Sequence, residues 1–394
     1  MNSAMATLSR RLRELRGRGL RDDSQQDHKI RVLYLNVTDC EYPRNRTLRK
    51  VLDSSQWNVI VIQRLSGVPY PLRCAAMFFQ AMKQVRMNSV VIMSEFGNSY
   101  AWVSYLVARL SRSVHVVDGF IGMHETHVQD RGTYSNASLK GRVYSILDKV
   151  ALHTSDLYLI DTLIRGRELS RRERFPDGRI MAVPVGAPEW ATSTSVWERQ
   201  PNRLRILYYG NFTRLHSVDT VIRALPLVRR NIGIEVLLIG DLKAAQPTMD
   251  LVSALGLGDC VTFNDLLPES ELRTRIHQAD VVLGVFGDSA KAKSVIANKV
   301  WQGLCCGRYV LTQRSIAFDE IEKFSAPLLR TVDAQDRESV AKALVDIALE
   351  PGLPVAEIEV TRRALIAYAR EGQTAFAHRI EELQLSKFSA GMRG

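Results

Sequence analysis

The chain has 394 residues, 46% of them hydrophobic and 24% charged. That is an ordinary globular composition, and the length exceeds one core, since single cores stop growing at roughly 250–300 residues. No run reaches the ~18 uninterrupted apolar residues of a membrane span, and the first residues carry charge without the apolar h-region of a secretory leader. A formal net charge of +11 implies an acidic partner, for which nucleic acid, anionic lipid and a nucleotide diphosphate all qualify.

Residues 1–28 form a basic arm. Arg10, Arg11, Arg13, Arg16, Arg18 and Arg21 stand against Glu14, with Leu8, Leu12 and Leu15 at helical spacing and Gly17 and Gly19 after them. The arm is either a short amphipathic helix on an anionic lipid surface, at about 1 kcal/mol per basic residue, or a solvated tail. Cys40, Cys74, Cys260, Cys305 and Cys306 make no CxxC pair and no metal spacing. They read as reduced thiols, which points to the cytoplasm. The lipid alternative for the arm adds a peripheral position at the inner face of the plasma membrane.

From Lys29 onward, apolar runs of strand length alternate with stretches of helical period. Arg31–Val37, Asn58–Gln63, Ser89–Glu95, Val114–Asp118, Leu157–Asp161 and Ile180–Val185 read as strands, rich in Val, Ile and Tyr. Runs this apolar suit parallel strands covered on both faces. Pro71–Met87 and Ser138–Thr154 are long enough for crossover helices. Residues 29–187 therefore read as a Rossmann-like, doubly wound α/β domain. Residues 188–203, with Pro188 and Pro201 and no periodicity, read as a linker. The rhythm restarts over residues 204–360, with strands at Leu204–Tyr209, Glu235–Ile239, Val261–Phe263, Val281–Phe286 and Tyr309–Thr312. Helices are expected at Val218–Arg230, Met249–Gly256, Glu269–Ala279, Val295–Cys306 and Arg337–Leu349. A last helical stretch, about 361–385, lies beyond Pro351 and Pro354 and is expected to pack back on the first domain.

Ligands of open α/β sheets bind beyond the carboxyl ends of the strands. After Leu204–Tyr209 the chain reads GNFTRLHS and opens a helix. Exposed N–H groups at a helix start favour an anion, and Arg214 adds a charge-assisted bond worth about 1.5–3 kcal/mol. After Val281–Phe286 it reads GDSAKAKSVIANK, which sets Lys291, Lys293 and Lys299 between a strand and a helix. Two such loops in one domain make a diphosphate cradle.

These segments resemble the donor-binding half of bacterial family 4 glycosyltransferases of the GT-B fold, in which two Rossmann-like domains face each other across a cleft. YYGNFTRLHSVDTVIRAL, LLIGD and LGVFGDSAKAKSVIANKVWQGLCCGRYVLT carry the likeness. The first half supports it through Asp39-Cys40-Glu41-Tyr42-Pro43-Arg44-Asn45, through Asp118-Gly119-Phe120 with Glu125 to Arg131, and through Asp161-Thr162. It implies a retaining, metal-independent transfer from a nucleotide-diphosphate sugar, with no other cofactor. UDP is preferred mildly over GDP. The implied acceptor is a saccharide or lipid-linked saccharide of polysaccharide or cell-envelope synthesis. Asn211, Arg214, His216, Gly240, Gly287, Lys291, Lys293, Asn298, Lys299 and Gln302 then fall on the donor side. Asp39, Tyr42, Arg44, Asn45 and His127 fall on the acceptor side, with His124, Glu125 and Asp130 as candidate catalytic groups.

The chain departs from the pattern at several positions. Two glutamates eight apart in many family members are Ser294 and Gln302 here, the proline of PNK is Ala297, the glycine of LHG is Ser217, and the aspartate of DT is Glu125. Asp130-Arg131 also reads as a structural ion pair. The departures keep open a catalytically degenerate binding or scaffold subunit, and the shared fold keeps open a nucleotide-sugar epimerase. No recognition motif for nucleic acid is present. The turn Asn36–Asn45 has no glycine and so no dinucleotide fingerprint.

Overall fold

The computed structural model describes residues 29–53, 57–130, 132–192, 199–200 and 202–391. The basic arm, Arg131 and, within the expected linker, residues 193–198 and 201 lie outside the described residues.

Two parallel six-stranded sheets organise the chain. The first contains β1 (Ile30–Val37), β2 (Trp57–Gln63), β3 (Val90–Met93), β4 (Val114–Asp118), β5 (Leu157–Ile160) and β6 (Ile180–Ala182), in the order β2-β1-β3-β4-β5-β6. Its helices are α1 (Pro43–Leu52), α2 (Tyr70–Gln84), α3 (Ala101–Leu110), α4 (Leu139–Thr154) and α5 (Leu163–Glu173). Alternate residues of each strand feed opposite cores, because side chains change face at every step. Leu33, Leu35, Val91 and Met93 pack with Met77, Val107 and Leu152 from α2, α3 and α4. Val32, Tyr34, Val90 and Ile92 pack with Leu48 of α1 and with Phe376 from the far end of the chain.

The second sheet contains β7 (Arg203–Tyr209), β8 (Gly233–Ile239), β9 (Val261–Asn264), β10 (Val281–Leu283), β11 (Tyr309–Gln313) and β12 (Leu329–Val332), in the order β12-β11-β10-β7-β8-β9. Around it lie α6 (Asp219–Val228), α7 (Gln246–Ala254), α8 (Glu269–Gln278), α9 (Asn298–Cys305), α10 (Glu322–Ser325) and α11 (Arg337–Leu349). β12 is an edge strand of sequence LRTV, half exposed over three of its four residues. It lacks the buried apolar run that makes the central strands readable.

The helix expected from 361 begins earlier and ends later, as α12 (Val355–Gly391). Its first half buries Leu365 in the second core, and its second half buries Phe376 and Ile380 in the first. Strand order reverses between β7 and β10 and between β1 and β3. Crevices at the carboxyl ends of strands open at such points.

Candidate functional site

The loops after β7 and β10 flank the switch point of the second sheet and are joined to each other. Phe286 N donates to His216 O at 2.9 Å and Gly287 N to Leu215 O at 3.0 Å. The approach is so close that a Cβ at Gly287 would overlap the carbonyl oxygens of Arg214 and Leu215. Ser217 holds φ +44, a conformation that favours glycine. This explains why a glycine occupies the matching position in the family the sequence resembles.

Lys299, in the first turn of α9, reaches under the first loop. Its Nζ lies 4.1 Å from the Tyr208 ring centroid and 3.3 Å from where a Cβ on Gly210 would sit. Burial lowers this ammonium to about 7. Among the described residues its Nζ has no hydrogen-bond partner, and neither does the buried Asn298 Oδ1 beside it. An unpaired buried charge is expensive, and the Tyr208 ring face offsets only part of that cost. His216 shares the pocket. Burial, then Lys299 and Lys291, hold its ring well below the ordinary histidine value, so it is a neutral imidazole, with Nδ1 2.9 Å from Thr213 Oγ1. Asn211 is exposed at the loop's start. Arg214 crosses toward the first domain, where a Cβ on Gly132 would lie 2.8 Å from its Nη1.

The facing wall is a π-helical turn, Glu125–Asp130. Lys291 bridges to it, at 3.2 Å from Glu125 Oε2 and 3.4 Å from Asp130 Oδ2. Ser289 donates to Asp130 Oδ1 at 3.2 Å. Arg165 of α5 supports Glu125 from behind, donating to both carboxylate oxygens at 2.9 and 3.2 Å and to Asp161 at 2.5 Å. Burial opposes the charge on Glu125, but Arg165 and Lys291 outweigh it and hold the carboxyl below its ordinary value. A carboxylate so engaged is a poor proton acceptor, and Glu125 acts here as a clamp on Lys291. Asp130 is raised, by burial first and Glu125 next, against the pull of Lys291.

Several expected site residues do other work. Lys293 turns outward and pairs with the exposed Asp288 at 2.5 Å. Gln302 is buried, and its Oε1 accepts from Tyr209 at 2.7 Å rather than facing a ligand. Ser294 bonds Ala290 O at 2.9 Å. Gly240 serves packing, since a Cβ there would overlap Gly210 O. Arg44 and Asn45 are not in a surface loop: they open α1 and are fully buried. Arg44 forks onto Asp118 at 3.0 Å and bonds the carbonyls of Val183 and Ile160. Asn45 joins Tyr34 and Asp39 O to Glu95. Sealed side chains with their bonds made cannot touch an acceptor in this conformation. Tyr42 packs on Phe96, and Asp39 is exposed and accepts from Glu41 N. His127 stacks on Tyr144 at 4.9 Å. His124 is half-buried, its backbone held by Asp148 at 2.9 Å.

Sequence reasoning missed Arg165 and Glu95. The spacing of Asp161 and Arg165 at the start of a helix was a usable signal, because i and i+4 side chains meet. Glu95 stands just past β3, at the switch point of the first sheet. It is 1% exposed, burial and then Asp118 push its carboxyl up to about 8, and its Oε2 has no partner among the described residues. Beside it at the end of β1, Asn36 adopts φ +65. Asn36 is also buried, with neither amide atom hydrogen-bonded among the described residues.

No protein-family model matches the sequence, and no curated protein matches it. Solved structures do match. A glycosyltransferase from Rickettsia africae is 14% identical, with 91% of this chain and 99% of that chain covered at a TM-score of 0.65. Anabaena HepE in complex with UDP and glucose is 10% identical, with 88% and 99% covered at 0.63. Sucrose-phosphate synthase from Thermosynechococcus elongatus is 15% identical, with 93% and 100% covered at 0.62. The fold is thus the two-domain GT-B architecture of these glycosyltransferases.

Proposed function

We propose that the chain transfers a sugar from a nucleotide diphosphate, UDP by preference, to a hydroxyl acceptor, with retention and without a metal. The observation that carries the reading is the buried Lys299 ammonium, unpaired among the described residues, beneath Gly210 at the β7/β10 switch point, with Arg214 and Lys291 on the same side of the cleft. Fixed cations aimed at the charge that develops on a leaving group stabilise the transition state strongly, because they need no reorganisation as the bond breaks. Here the bond between the anomeric carbon and the phosphate oxygen breaks as Lys299, Arg214 and Lys291 take up the charge. The acceptor oxygen attacks the same face, and its proton passes to the departing phosphate. Neutral His216 hydrogen-bonds in the pocket without adding charge. The solved HepE structure contains UDP and glucose, which supports the choice of UDP. The acceptor is a saccharide or lipid-linked saccharide, and the protein works at the cytoplasmic side of a membrane.

Thermal-shift binding of UDP, GDP, ADP and dTDP with EDTA present tests the donor. At a hundredfold excess over its dissociation constant, a ligand of the native state stabilises by about 2.7 kcal/mol. UDP is expected to do so for the wild type and not for Lys299→Ala. No shift with any nucleotide at millimolar concentration overturns the reading.

A second reading rests on Gln302 and Ser294, whose side chains are already bonded within the protein at two positions where the resembled family carries acids. A nucleotide-binding subunit without turnover would bind UDP but release none from UDP-sugars with any acceptor.

A further inference from the structure

The outer surface of α2, α3 and α4 is the part of the first domain that its own fold leaves unexplained. The three helices lie side by side on one face of the sheet, with their inner residues in one core. Helices against water carry polar outer faces, whereas here rows of large apolar side chains share the outer faces with the cations. α2 exposes Leu72 and Phe79 at 60% and 63%, seven residues apart and therefore on one line of the helix. α3 exposes Trp102, Leu106 and Leu110, each four residues from the next. α4 exposes Leu139, Val143 and Ile146, again along one stripe. Contiguous apolar surface of more than a few hundred Å² marks a contact site on a soluble protein.

The charge around these stripes is predominantly positive, with Lys149 paired to Glu173 of α5 at 3.5 Å. The three helices carry Arg73, Lys83, Arg109, Lys140, Arg142 and Lys149, and their sole acid is Asp148. That carboxylate turns inward, accepting from Asn98 at 2.7 Å, Met123 N at 3.0 Å and His124 N at 2.9 Å. A second copy of the chain would bring the same positive face. The arm of residues 10–21, with its arginines, would be repelled as well. We propose that this face docks on an anionic lipid bilayer, with the apolar stripes at the headgroup–acyl boundary and the cations on the headgroups. In a parallel α/β fold the helices start at the carboxyl ends of the strands. Tyr70, Trp102 and Leu139 therefore sit at the cleft rim, which suits an acceptor held in the same bilayer, a point that rests on the transferase reading.

Co-sedimentation with vesicles, without nucleotide, reads docking apart from donor binding. The probes are phosphatidylcholine alone and an equimolar mixture with phosphatidylglycerol. The wild type is expected to pellet with the anionic vesicles, not with the neutral ones, and less so at high salt. The triple variant Phe79→Glu, Leu106→Glu, Ile146→Glu is expected to lose at least about tenfold in partition, with an unchanged thermal melt and unchanged UDP binding. Charge reversal at Lys83 and Arg142 should weaken partition in the same direction. Changing the arginines between 10 and 21 to glutamine should leave most of the partition. Equal pelleting of wild type and triple variant overturns the proposal. So does loss confined to the arm variant, or a wild-type dimer that the triple variant abolishes while vesicle binding is absent throughout.

Discussion

Lys299 holds a charge where the surrounding structure makes charge costly, and the cost is visible as an ammonium lowered by burial to about 7. A diphosphate beside Nζ favours the protonated form, so nucleotide binding and protonation of Lys299 are linked. Phosphate itself takes its second proton near about 6, so above neutrality the lysine is the group that changes. UDP affinity is therefore expected to fall from pH 7 to pH 9, by up to about tenfold per unit. Lys299→Arg, which stays charged throughout, should flatten the profile. Titration calorimetry at three pH values checks this, and an equally steep profile in the arginine variant would show that some other group is responsible. Glu95 makes stability, rather than affinity, fall as pH rises. Its folded carboxyl is raised to about 8, by burial first, while the unfolded chain releases that proton near about 4.3. Its contribution is complete below the unfolded value and is lost as pH rises through about 8. Glu95→Gln should then melt like the wild type near pH 4 and more than about 1 kcal/mol more stably at pH 9.

At the scale of elements, the clamp from the π-helical turn sets how available Lys291 is to a ligand. Glu125 and Asp130 occupy it across the cleft, and a diphosphate must compete with both. Glu125→Gln removes one competitor and leaves Arg165 to Asp161. UDP affinity is expected to rise about fivefold, a gain near 1 kcal/mol, while the melting temperature falls because a buried pair is broken. A drop in affinity would mean that Glu125 itself contacts the donor. The clamp was only half legible. Glu125, Asp130 and Lys291 stand out in the sequence as charges beyond strand ends, but their pairing joins residues more than 150 positions apart. Arg44 and Asn45 misled for the same reason: polar letters after a strand look like a surface, and their partners lie far along the chain in Asp118, Glu95 and Val183. The central strands were legible because burial on both faces demands a continuous apolar run, which the edge strand β12 lacks. α9 starts later than its apolar pattern suggests. Val295 and Ile296 are buried in an irregular stretch between a turn and the helix, where Ser315 Oγ donates to Val295 O at 3.3 Å and Ile316 N to Lys293 O at 3.0 Å.

At the scale of the molecule, the two domains meet in separate places that one helix ties together. Arg46 of α1 forks onto Glu269 of α8 at 2.7 and 2.9 Å. Thr162 donates to Ser294 O at 3.0 Å, and Glu320 accepts from Ile164 N at 3.2 Å and from Tyr368 of α12 at 2.5 Å. Hydrogen bonds of this kind contribute about 1 kcal/mol each and can part when domains move. α12 cannot part so cheaply, because it buries Leu365 in one core and Phe376 and Ile380 in the other, all fully enclosed. A single helix shared by two cores passes the loss of either one to its neighbour. Phe376→Ala should cost about 3–5 kcal/mol, and that cost should fall on the first domain, whose core Phe376 completes. In scanning calorimetry the wild type is expected to unfold in one transition. The variant should split it, with the early component belonging to the first domain and the later one still raised by UDP, because the cradle lies wholly in the second. A variant that keeps one transition at an unchanged midpoint would mean that the distal half of α12 only rests on the first domain. The coupling would then have to reside in the cleft contacts themselves.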